Sequence, residues 1–182
     1  MRRRGYDSSV IAQAIAAEKQ QATIAQKAKE HVETIVPTIR SAFAEVKRPA
    51  LTMADAEVLD DWGNESSRFE EHDSSWWEIP DELIARHSNV FCFLPPKAEL
   101  YYLPAYMSWF LRGGYKADSN SCEHLIYFMS DSSRFEPVWN LMNPEQRNVI
   151  LRFAQACSDL AFDEVDLETF ETLIQAVKGM PH

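Results

Sequence analysis

From Phe91 to Leu111 the chain carries 21 residues, of which only Lys97, Glu99 and Ser108 are neither apolar, aromatic nor proline. Pro95-Pro96 suits the first turn of a helix, where a missing N–H has no partner to lose. Gly113-Gly114 suits the left-handed stop at its end. The spacing therefore predicts a helix over 96–112, kinked where Pro104 removes the bond to the Leu100 carbonyl. Because this helix is apolar on every side, it has to be surrounded by protein rather than laid on a surface. Its length would also suit a membrane span, but three prolines and the charges of Lys97 and Glu99 oppose that. A lysine near the bilayer centre costs about 2.5–3.5 kcal/mol even on lenient insertion scales. The segment reads as the axis of a water-soluble core.

The rest of the sequence agrees with a single helical domain. An apolar fraction of 46% and a charged fraction of 25% over 182 residues are those of a globular chain that can bury a substantial core. Five glycines are too few for a fold rich in tight turns. Cys92, Cys122 and Cys157 are odd in number and widely spaced, and read as reduced core thiols of a cytoplasmic protein. After the basic Arg2-Arg3-Arg4, the run from Val10 to Ala17 is broken by Gln13, which does not resemble a secretion signal.

Local signals divide the chain further. Asp7-Ser8-Ser9 can cap a helix whose narrow, alanine-rich stripe runs from Val10 through Ile24 to Val36. About 27 residues would make a rod of roughly 40 Å. Such a rod lies along its own domain or serves as an arm for a homodimer or another partner. A strict coiled coil is disfavoured because its best seam would bury Gln21 and His31. Residues 1–36 are thus expected to form a helical extension, and 37–182 a single all-α domain. Pro37 restarts the helix, which is expected to run on toward Pro49. Thr52 and Asp55 have capping-box spacing, as do Asn120 with Glu123 and Asn143 with Gln146. Leu125 to Met129 forms a buried helix or, alternatively, a strand. Asp166 opens the last helix, which Gly179 stops. The expected fold class is an irregular all-α bundle around the central helix, with a long helix at the N-terminus.

The net charge of −10 is distributed unevenly: residues 55–82 hold eleven acids against one base, Arg68. A protein of this charge repels a phosphate backbone, so nucleic acid is not an expected partner. Neither a membrane nor a cofactor is expected. The standard spacings for zinc proteases, thiol redox sites, serine hydrolases, phosphate loops and EF-hands do not occur. Glu70-Glu71-His72-Asp73, with Asp60-Asp61, offers ligands for a hard cation, but adjacent loop residues seldom converge on one ion, and a solvated acidic loop over 64–75 is the simpler reading. Cys122 and His124 are two apart and cannot face each other on a helix. No catalytic or metal-ligating residues are assigned. Trp76-Trp77, at the end of the acidic stretch, remains as the best candidate surface: one ring can fill the core while the other points outward, the alternative being that both pack over the end of the bundle. Glu70, Glu71, Asp73, Trp76 and Trp77 are therefore the expected partner-binding residues.

Phe93-Leu94-Pro95-Pro96-Lys97-Ala98, followed by Tyr101-Tyr102-Leu103-Pro104-Ala105-Tyr106-Met107, resembles the signature of an uncharacterised bacterial family, the domain of unknown function 6714. Trp77-Glu78-Ile79-Pro80 and Asn143-Pro144-Glu145-Gln146-Arg147 fit the same layout, so that the likeness covers roughly residues 37–178. The resemblance implies no activity and no catalytic residues. The expectation is a non-enzymatic interaction module whose acidic surface meets a basic protein. The alternative is a small-molecule-binding protein, or a hydrolase-like enzyme with a carboxylate and tyrosine pocket beside the central helix.

Overall fold

A computed structural model of the chain describes residues 8–60, 75–161 and 164–181, and among these residues the regular elements are all helical. They are α1 (Ser8–Thr34), α2 (Val36–Ala42), α3 (Met53–Asp60), α4 (Asp81–Arg86), α5 (Pro96–Leu111), α6 (Ser121–Ser130), α7 (Ser132–Trp139), α8 (Pro144–Asp159) and α9 (Glu164–Lys178). Short 3-10 turns occupy Trp76–Glu78, Val90–Cys92 and Gly114–Lys116. The predicted all-α bundle is the observed one.

Helix α5 is its axis. Every residue from Tyr101 to Leu111 is buried, and α1, α2, α4, α6, α7 and two of the 3-10 turns pack around it. The helix continues through Pro104. Gly113 ends it at φ 116°, in the left-handed region that only glycine enters without strain. Gly114 is required for a different reason: a Cβ there would lie 2.5 Å from the Trp109 ring. Around α5 the aromatic side chains form a connected core. Phe91 stacks on Phe128 at 4.7 Å and meets Tyr106 edge-on at 4.9 Å, while Phe110 meets Phe153 at 5.5 Å. Each such ring removes enough apolar surface from water to contribute about 1.5–3 kcal/mol. The Tyr106 hydroxyl donates to the His87 carbonyl at 2.5 Å, which satisfies it within the core.

Two of the three expected capping boxes form. Thr52 and Asp55 bond reciprocally at the start of α3, at 2.9 and 3.0 Å. Asn143 and Gln146 do so at the start of α8, also at 2.9 and 3.0 Å. At α6, by contrast, Asn120 makes no side-chain cap. Ser119 Oγ instead accepts from the Ser121 N–H at 3.2 Å, and the Ser119 and Ser121 hydroxyls donate to the carbonyls of Ala85 and Ile84 at the end of α4. Asp131 caps α7 by accepting from Ser133, which holds its carboxyl below the usual range.

Helix α2 stops at Ala42 and does not run on to Pro49, because its end is held by distant partners. Gln146 Nε2 donates to the Ala42 carbonyl at 3.1 Å, and Trp76 Nε1 to the Phe43 carbonyl at 3.1 Å. Helix α1 divides into two halves. In its second half Ile24 joins the core, and Lys27 and His31 reach Asp159 at 3.1 and 3.2 Å. Val10, Ile11 and Ile15 are exposed. Cys122 and Cys157 are core thiols as expected, but Cys92 is exposed, because its 3-10 turn aims Phe91 inward and the next residue out. Among the described residues no helix is long and apolar enough to cross a membrane.

Candidate functional site

The Trp76–Glu78 turn sets the geometry of the tryptophan pair. Glu78 folds its carboxylate back onto the Ser75 N–H at 3.1 Å, closing the turn, and this sends the two adjacent indoles in different directions. Trp76 is 2% exposed and anchored through its N–H to the end of α2. Trp77 is only half-buried; it meets Trp76 edge-on at 5.5 Å, and the Arg40 guanidinium lies 5.0 Å from its ring centre. A cation over an indole face is worth about 0.5–1 kcal/mol at an exposed site, and it fixes the plane of both groups. Glu70, Glu71 and Asp73 lie outside the described residues, as do His72 and Asp61.

Three of the acids of 55–82 have local tasks. Asp55 and Glu78 close helix and turn starts. Asp81 pairs with Arg112 at 2.5 Å. Among the described residues, no three His, Cys, Asp or Glu side chains gather where a metal ion could be held. The two buried thiols, Cys122 and Cys157, are held in their protonated form. Burial, then Glu123, pushes Cys122 up to about 12, and burial, then Cys122, pushes Cys157 well above the ordinary value. These surroundings are the reverse of those that activate a cysteine nucleophile. Burial pushes the Glu99 carboxyl up to about 8, against the opposing pull of Arg134, so it is largely neutral at pH 7.

The tryptophan pair separates two cavities. One, of about 220 Å³, opens toward Arg48, Ser75 and Tyr101. The other, of about 160 Å³, lies between α2, α4, α5 and the Trp76–Glu78 turn, with Arg40, Trp77, Ser108 and Arg112 on its wall. Residues 105, 108 and 112 share one face of α5 by helical spacing, as do 36 and 40 on α2. These two faces, packed against each other, bring the arginines to one cleft. Arg40, Ser108 and Arg112 did not stand out in the sequence as site residues. The available signal was Ser108, the one hydroxyl of its type in an otherwise apolar stretch, followed one turn later by an arginine. No carboxylate lines this cleft, and its aromatic groups are indoles rather than phenols.

No curated protein and no solved structure matches the chain. One family does, over residues 31–176: the family of unknown function DUF6714, to which this chain belongs.

Proposed function

We propose that the domain is a non-enzymatic protein-interaction module, in which Trp77 anchors a basic partner that the acids of residues 55–82 attract. The observation that carries this reading is the division of labour within the tryptophan pair. Trp76 is buried and bonded, so that Trp77 is held rigidly at the rim of a cleft with part of its ring in water. A pre-positioned aromatic group of this kind loses little conformational freedom on binding, which is why tryptophan dominates interface hot spots. The neighbouring sequence, eleven acids against one base, supplies a field that speeds encounter with a cationic surface. Glu70, Glu71 and Asp73 form the densest part of that charge, with Trp76 supporting from behind.

The test is comparative capture from a lysate of the native host, using the wild-type domain, Trp77→Ala and the triple variant Glu70→Lys, Glu71→Lys, Asp73→Lys. The reading expects a basic protein bound by wild type, depleted by both variants and eluted by salt. A set of bound proteins that is the same for all three would overturn it.

A further inference from the structure

The 160 Å³ cleft is cationic in a protein of net charge −10. Its wall carries two guanidinium groups and no acid. Asp81 neutralises one of them through Arg112, leaving Arg40, which has no carboxylate partner among the described residues. Arg40 rests instead on the Trp77 face, which holds its planar fork of donors in place. At the back of the cleft is Ser108, 3% exposed, whose hydroxyl has no hydrogen-bond partner. A buried hydroxyl without a partner costs free energy that an acceptor in the cleft would recover. Val36, Ile79 and Ile84 make the remaining wall apolar.

From these features we propose that the cleft is a binding site for a small free carboxylic acid in its anionic form. Three constraints select that class. Among the described residues the uncompensated charge is a single positive one, which balances a monoanion but not a phosphate dianion. The planar guanidinium matches the two oxygens of a carboxylate, and the Ser108 hydroxyl donates to the same group. The cleft's volume of about 160 Å³ is well short of the several hundred Å³ of clefts for drug-sized ligands, so its occupant is a small molecule. The short carbon tail lies on the apolar wall beside Trp77. This site shares Trp77 with the protein-interaction reading but requires no protein partner.

The experiment is an NMR titration of the full chain, following the indole N–H of Trp77, assigned with Trp77→Phe. Sodium propionate is added against sodium chloride and sodium phosphate at constant ionic strength. A saturable shift is expected with propionate and not with chloride, and Ser108→Ala and Arg40→Met are each expected to weaken binding by about tenfold or more, the range for a hydrogen bond to a charged group. Ser108→Ala is a conservative change, so it carries the test should Arg40→Met fail to fold. Absence of a saturable shift, or equal binding in the Ser108→Ala protein, would overturn the proposal. Tighter binding of phosphate would overturn the assignment to a carboxylate. A final arm uses N-acetyl-glutamic acid amide. If it binds more than tenfold tighter than propionate, the cleft receives a protein's acidic side chain and the free-acid proposal fails.

Discussion

Replacing Ser108 with alanine should make this protein more stable, against the usual direction of a core substitution. The side chain is 3% exposed, and its oxygen has no partner. Burying a hydroxyl without a hydrogen bond costs about 1–3 kcal/mol on scales drawn from protein mutants. Alanine also forms helix slightly better than serine, by up to about 0.5 kcal/mol. Against these gains stands the loss of one oxygen's packing, which is small for a single atom. The net expectation is a gain of about 1–3 kcal/mol, or about 2–10 °C in Tm for a chain of this size. Urea unfolding followed by tryptophan fluorescence measures it, with an unchanged slope showing that only stability has moved. Ser108→Thr is the control: it keeps the hydroxyl and should give no gain. Destabilisation of 1 kcal/mol or more in the alanine variant would mean that the hydroxyl is satisfied, and both this reasoning and the cleft's claim to a ligand would lose their main support. Giving up stability to hold an unpaired polar group in place is a common cost of a binding site.

The two glycines after α5 should respond differently. Gly114→Ala drives a Cβ into the Trp109 ring and should cost about 1–3 kcal/mol in the range for overpacking. Gly113→Ala meets nothing within 4 Å, and its cost should be only the backbone strain of φ 116°, on the order of 1 kcal/mol. Glu99 should make stability depend on pH. Burial raises its folded pKa from 4.5 to about 8, so the folded chain keeps a proton that the unfolded chain has released. Its contribution is therefore full below pH 4.5 and is lost as pH rises toward 8. Glu99→Gln should flatten this part of the profile, and its advantage over wild type should grow to a few kcal/mol, as an order of magnitude, near pH 8. Parallel stability curves for the two proteins between these pH values would contradict the assignment.

What could be read from the sequence was what local chemistry decides. Pro96 and Gly113 bound α5 because an absent N–H and a positive φ are properties of single residues. Thr52 with Asp55 and Asn143 with Gln146 found their helix starts because both partners lie within four residues. Where the partner is distant, the reading failed. The end of α2 depends on Gln146, 104 residues away from Ala42, and on Trp76. Helix α7 was not anticipated, since Pro137 and its polar residues hide a face that buries only Phe135, Val138 and Trp139. Cys92 has apolar neighbours, yet a 3-10 turn places it outside. The cleft was illegible for the same reason: Arg40, Trp77 and Ser108 come from three segments, and only their packing brings them together. The separate orientations of Trp76 and Trp77 were not decided by the sequence, which left open that both rings pack over the end of the bundle.

The interaction reading is tested most directly by association kinetics with the basic protein recovered in the capture experiment. Stopped-flow fluorescence over about 50 to 500 mM salt spans Debye lengths from roughly 14 to 4 Å, and so turns long-range attraction on and off. The account predicts a wild-type on-rate that falls steeply across this range. The on-rate of the Glu70→Lys, Glu71→Lys, Asp73→Lys protein should be slower and far less sensitive to salt, while Trp77→Ala should mainly raise the off-rate. An on-rate indifferent both to salt and to these substitutions would contradict it, leaving the acidity of residues 55–82 without a part in recognition.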